Sequence, residues 1–473
     1  MKQLATYFQV AENNSTVRTE IMAGITTFMA SAFTVLAIPG MIAGDDNRIR
    51  NAVFIGACLS AVVGTLLKAF YAKLPFVQAP GMGLGAYFSG SVMGGMAMLA
   101  GVEYLDRLTQ YQMALGLVFI AGLAFTFTTF FGIREAIITA IPRNIKLAMG
   151  AGIGLFITLL GLRFSGIVIN SPGTFVTMVN FRNAANLTYA TDMGAQAVQA
   201  RQAMGAILAV IGLLLITVLS IKKIKGAILI GVFVTTVLSY LTGVVAVPSD
   251  FSFNLGPRFA DFVELSFLQM DFSFLTGGGT AWGAMLAFIL AFIFVNMLDA
   301  LGTIYGISMA NGMVDKNGNA KNLDKGLTAD ALGTVASGML GTSTVTTVVS
   351  SASGISEGGR TGLTALTAAV LFFFAILLAP FVVLIPNVAI APALIYVGFL
   401  MVSHVKEVDF KEPTEAFPAF LTVVIMPLSF SIANGIAFGL ISYIVIKACT
   451  GKAKEIKPLA VVIALLFILQ YIL

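Results

Sequence analysis

Span-length runs of apolar residues recur along this chain from Ile21 to its C-terminus, with few charges between them. A run of about 20 such residues crosses a hydrocarbon layer as a helix, the form that pairs every backbone N–H and C=O within the segment. Charged residues make up 10% of the chain, against about a quarter in a typical soluble domain. With hydrophobic residues at 58% and a mean hydropathy of +0.95, the remainder cannot form a water-facing surface. The fold class that follows is an all-α polytopic membrane protein.

Several function classes drop out on residue counts. Two cysteines, Cys58 and Cys449, exclude a disulfide scaffold. A single histidine, His404, argues against a zinc or haem centre, so neither a metal nor another cofactor is expected. No His-Glu-x-x-His and no His/Cys cluster occurs, which disfavours an intramembrane enzyme. The net charge of +5 is spread over loops and reads as ordinary positive-inside bias, not as a nucleic-acid surface. Residues 1–20 carry Lys2, Glu12, Arg18 and Glu20 without an apolar core, and read as a cytoplasmic leader.

Fourteen spans are expected, beginning near Ile21, Ala52, Gly81, Tyr111, Ala148, Ala203, Gly226, Ala281, Gly326, Thr342, Gly362, Val388, Phe417 and Asn434. The run Leu459–Leu473 is either a short extra span or an interfacial helix. With the N-terminus inside, 20 of the 27 Lys and Arg fall in inner loops and 7 in outer ones, as expected for a cytoplasmic-membrane protein. Two halves of seven spans each would be inverted relative to one another.

Two segments cannot be plain helices. Gln78–Ala86 holds Pro80, Gly81, Gly83 and Gly85, all penalised in helix interiors. Residues 342–353 are dominated by Ser, Thr and Val, which favour extended backbone. Both are expected to be short extended pieces leading into half-helices, a backbone form tolerated at membrane depth only where it is buried in protein or lines a cavity. Broken segments at matching places in two halves are the best sequence pointer to a transporter's substrate site. Asp299 lies deep in span 8, with Asn296 one turn earlier on the same face. Asp330 lies near the start of span 9 and can be read as decorating a helix N-terminus. Glu357 and Arg360 read as a structural ion pair at an inner turn.

The stretches Ala79-Pro-Gly-Met-Gly-Leu-Gly-Ala-Tyr-Phe, Leu298-Asp-Ala-Leu-Gly-Thr, Ala329-Asp-Ala-Leu-Gly-Thr, Gly341-Thr-Ser-Thr-Val-Thr-Thr, Glu357-Gly-Gly-Arg-Thr-Gly-Leu-Thr-Ala and Ser431-Ile-Ala-Asn-Gly-Ile-Ala-Phe-Gly resemble the AzgA-like purine permeases. These form a branch of the nucleobase–cation symporter (nucleobase/ascorbate transporter) family, and the likeness runs from about Arg18 to Cys449. It implies a 7+7 inverted repeat with a core domain (21–131 and 281–386), a gate domain (132–247 and 387–449) and a tail (450–473). It also implies alternating-access transport of hypoxanthine, guanine or adenine with a proton or another cation, and it allows a homodimer. The implied site is lined by Phe33, Gly85, Asn296, Asp299, Val349 and Ser350. The base would stack on Phe33 and accept hydrogen bonds from backbone N–H groups near Val349 and Ser350, with Asp299 as the coupling group.

Several positions depart from the family pattern. Gly85 stands at a usual Asn, Asn296 at a usual Asp, Ser350 at a usual Glu, Phe33 at a usual Tyr and Ile38 at a usual Asn. Loss of carboxylates weakens recognition of purine N–H groups, because a charged acceptor binds about twice as strongly as a neutral one. It leaves open a non-purine small planar or anionic solute, or an uncoupled facilitator. It also leaves Asp299 as the one expected acid at membrane depth.

Overall fold

The computed structural model describes residues 2–472, apart from 103, 131–139, 172–173, 187–194, 225, 247–252, 277–278 and 314–319. The expected domain boundaries at 131/132 and 247, and the inner-loop residues Arg134, Lys225 and Lys316, lie outside the described residues, as does the side chain of His404.

Two long helices open the membrane-embedded part, α1 (Val17–Ala43) and α2 (Asn47–Leu66), the latter ending in a π-helical turn, Leu67–Ala72. Thr16 caps α1 by accepting from the Thr19 N–H, and Asp46 caps α2 by accepting from Arg48 and Ile49. The strand β1 (Gln78–Pro80) follows, then α3 (Met82–Tyr87), a second π-helical turn (Phe88–Val92) and α4 (Met93–Leu99). Next come α5 (Arg107–Phe130), α6 (Arg143–Phe164), the hairpin β2 (Val168–Ser171) and β3 (Phe175–Met178), α7 (Ala195–Ile221), α8 (Ala227–Leu241) and α9 (Leu255–Leu265). The later part contains α10 (Gly279–Ala310), α11 (Leu323–Leu340), β4 (Val345–Thr347), α12 (Ser351–Ser356) and α13 (Gly362–Ala375). It ends with α14 (Asn387–Val402), α15 (Pro413–Leu428), α16 (Ile432–Cys449) and α17 (Pro458–Ile472).

Eight helices among the described residues are long and apolar enough to cross a membrane, and four shorter apolar ones accompany them. The expected class, a mostly helical membrane protein, is what is found. The segment from Leu459 forms α17, which packs on α10 and α16, with Ile463 and Phe467 in the main apolar cluster.

Packing sorts the helices by partner. α1 contacts α13, α2 and α12; α11 contacts α5, α2 and α10. Separately, α6 contacts α14 and α15, α7 contacts α8 and α14, and α15 contacts α16. The two expected extended pieces are strands, and they pair with each other. β1 runs antiparallel to β4, with Gln78 opposite Thr347, Ala79 opposite Thr346 and Pro80 opposite Val345. Val348 N–H continues the contact by donating to Val77 O at 3.1 Å. A two-stranded ladder at the centre of a helical membrane protein satisfies backbone groups that would otherwise be unpaired in an apolar medium.

Candidate functional site

The β1–β4 crossing is where the two broken segments meet, and each strand delivers its chain to a helix start. Gly81 caps α3 in extended conformation, and Ser350 precedes α12. The N–H groups of Val349 and Ser350 donate to no partner among the described residues. Gln78 lies buried in the slot left by Gly64 of α2 and Gly333 of α11, where an added Cβ at either glycine would collide with its carboxamide.

Asn296 of α10 is buried and donates from Nδ2 to Thr334 Oγ1 at 2.6 Å. Thr334 in turn gives its proton to Asp330 O at 2.9 Å. A hydroxyl that has spent its only proton accepts and cannot donate, which accounts for a carboxamide rather than a carboxylate at position 296. Asn296 Oδ1 has no partner among the described residues, nor have the buried hydroxyls of Thr342, Ser343, Thr344 and Thr346. These four hydroxyls, which can donate and accept, are polar groups that the sequence reading passed over as backbone formers.

Asp299 lies one turn beyond Asn296 and is half-buried; Gly302, a further turn along, is exposed with no atom within 4 Å of where its Cβ would stand. This face of α10 thus runs from buried polar to accessible. Val349 is 61% exposed and Ser350 half-buried, while Phe33 is buried in the main apolar cluster. Gly85 abuts Ile38, whose Cδ1 fills the place of a Cβ at position 85, and Ser343 Oγ is 3.5 Å from that same place. Two positions read separately in the sequence as losing a usual Asn are therefore one apolar contact.

Four readings need correction. Asp330 does not decorate a helix start: it is two turns into α11, fully buried, and accepts from Lys68 Nζ at 2.7 Å. Lys68, one of the 20 Lys and Arg expected in inner loops, is itself fully buried in the π-helical turn after α2. Asp299 is accordingly not the only acid at membrane depth. Sequence spacing gave no signal for this pair, whose members are 262 residues apart. Glu357 and Arg360 act in a wider network: Glu357 accepts from Thr26 Oγ1 at 2.7 Å, and the Arg360 N–H donates to the buried Glu20 at 3.0 Å.

A separate cleft of about 870 Å³ is lined by Arg50, Arg163, Arg201, Asp45, Tyr240 and Asn387 among others, and by none of the six expected site residues. Among the described residues no cluster of His, Cys, Asp and Glu could hold a metal ion.

Comparison with known proteins places these features in a family. A family model described as a permease family matches residues 18–438. The chain is similar to the guanine/hypoxanthine permease PbuO of Bacillus subtilis, with 35% identity covering 98% of this chain and 99% of that one. It is also similar to the adenine permease AdeQ of Escherichia coli, with 33% identity covering 99% and 96%. Among solved structures it resembles the transmembrane domain of the cyanobacterial bicarbonate transporter BicA, with a TM-score of 0.61 and 18% identity over 90% of this chain and 96% of that one. The last likeness bears on the fold alone.

Proposed function

This chain belongs to the permease family, and on that premise we propose that it carries a purine nucleobase across the cytoplasmic membrane by alternating access. The observation that carries the reading is end-to-end similarity to permeases named for adenine and for guanine and hypoxanthine. The base binds at the β1–β4 crossing, against Phe33, Gly85, Asn296, Asp299, Val349 and Ser350. Free N–H groups at Val349 and Ser350 suit its ring nitrogens and carbonyl oxygens, while Asn296 Oδ1 and the hydroxyls of 342–346 suit its N–H groups. Asp299 couples transport to a proton: it is half-buried, and no hydrogen-bond partner holds it among the described residues.

The architecture of this reading is fourteen spans in a 7+7 inverted repeat with the N-terminus in the cytoplasm. A core built on 21–131 and 281–386 moves against a gate built on 132–247 and 387–449. The packing of α1, α2, α5, α11 and α13 among themselves, and of α6, α7, α8, α14, α15 and α16 among themselves, supports that division.

A second reading, transport of an anionic solute on the same fold, is favoured by the cleft holding Arg50, Arg163 and Arg201 beside one acid, Asp45. Thermal unfolding of the purified protein with adenine, guanine, hypoxanthine, bicarbonate and small dicarboxylates separates the two. A rise in Tm with a purine and not with the anions supports nucleobase transport. A rise with an anion alone moves the assignment to the second reading, and no rise with any of them overturns both.

A further inference from the structure

Lys68 and Asp330 form an ion pair with both side chains fully excluded from solvent. The Lys68 ammonium donates to Asp330 Oδ2 at 2.7 Å and to Gly326 O at 2.7 Å. The Asp330 carboxylate also accepts from Thr347 Oγ1 at 2.9 Å. Thr347 is the β4 residue opposite Gln78 of β1. One pair thus joins the end of α2, the middle of α11 and the strand ladder three residues before Ser350.

Without the ammonium, this place would consist of a carboxylate, itself bonded by the Thr347 hydroxyl, and a backbone carbonyl. Those are the oxygen ligands a hard monovalent cation takes. A buried carboxylate cannot stay ionised without a counter-charge, so it must hold a cation or a proton. The lysine ammonium meets that need from within the chain, and it cannot dissociate.

We propose that Lys68 is a tethered counter-cation: its ammonium occupies a cation site built from the Asp330 carboxylate and the Gly326 carbonyl, and so removes Asp330 from ion coupling. Among the described residues the charged group paired with Lys68 is Asp330, and Asp299 on α10 is the further acid that interacts with Asp330. With Asp330 permanently neutralised, Asp299 is left, among the described residues, as the acid at the site free to exchange a proton. That consequence for transport rests on the reading as a coupled nucleobase carrier; the tethered-cation site itself does not.

The test is therefore made first without substrate. Thermal unfolding is followed for the full-length wild type, Lys68→Ala, Asp330→Asn and the double variant, with sodium, potassium or choline, from pH 5.5 to 8.5. The wild type and the neutral double variant are expected to be indifferent to the choice of cation. Lys68→Ala leaves a bare carboxylate, so sodium, potassium or acid should raise its Tm by about 5 °C, the shift expected when a ligand saturates a site formed only in the folded state. Asp330→Asn leaves a bare ammonium and should shift the opposite way, gaining stability as pH rises. Either single variant suffices if the other cannot be purified. Cation and pH responses equal to the wild type in the single variants would overturn the proposal, as would a sodium-dependent Tm in the wild type. Hypoxanthine uptake into proteoliposomes is measured second. Absence of uptake by the wild type would overturn the carrier reading alone, whereas uptake by the wild type that requires sodium would overturn the tethered cation.

Discussion

At the scale of single residues, the site is set by pairs of neighbours. Gly85 has no Cβ because Ile38 occupies its place, so Gly85→Asn should clash and destabilise by about 1–3 kcal/mol. Shortening the neighbour in Gly85→Asn with Ile38→Ala should recover most of that loss, a coupling that unfolding of the two single variants and the double variant measures directly. Asp299 makes a different kind of prediction. Its Asn variant keeps the shape of the side chain and loses its proton, so substrate binding should persist within roughly tenfold, one hydrogen bond being worth about 1 kcal/mol. Uptake by the same variant should become insensitive to a proton gradient. If wild-type uptake already ignores the gradient, Asp299 has no coupling role.

At the scale of elements, the ladder of β1 and β4 holds the two broken segments together. Both strands are three residues long, and each is followed by a short helix, α3 after β1 and α12 after β4. Val348→Pro removes the donor that extends the ladder to Val77 O, leaving that carbonyl unpaired in an apolar interior at a cost of about 1–3 kcal/mol. Transport should fall further than stability, because Val349 and Ser350 follow at once. Substrate affinity compared with Tm reports that difference, and equal losses in both would mean that the ladder is only a brace. The two π-helical turns, after α2 and after α3, flank the first strand and are further departures from regular helix at the same place.

At the scale of the whole molecule, the sidedness of the charges carries the topology. Moving Lys68 out of the inner loops and into the interior leaves the inner excess of Lys and Arg intact, so the N-terminus is still expected inside. A single cysteine placed at Asp46 should react with an impermeant thiol reagent from outside, and one at Lys223 should react only after the membrane is opened. The reverse pattern would invert the topology. Arg48, two residues after Asp46, joins the start of α2 to α9 through ion pairs with Asp261 at 2.8 Å and Glu264 at 2.6 Å.

Local residue chemistry set the solvent and the punctuation of this protein. Apolar run length required a helical membrane protein, and the Gly, Pro and β-branched residues of 78–86 and 342–353 required interruptions in it, because both are local properties of the backbone. Asp299 and Asn296 were legible for the same reason, being one helical turn apart. Tertiary structure alone decided that the two interruptions pair with each other, that Ile38 fills the space beside Gly85, and that a lysine read as an inner-loop charge meets Asp330 in the interior. Each of these joins residues far apart in the chain, and no local preference of Lys68 distinguishes a solvated cation from a buried one. What distinguishes them is the carboxylate that α11 brings to within 2.7 Å.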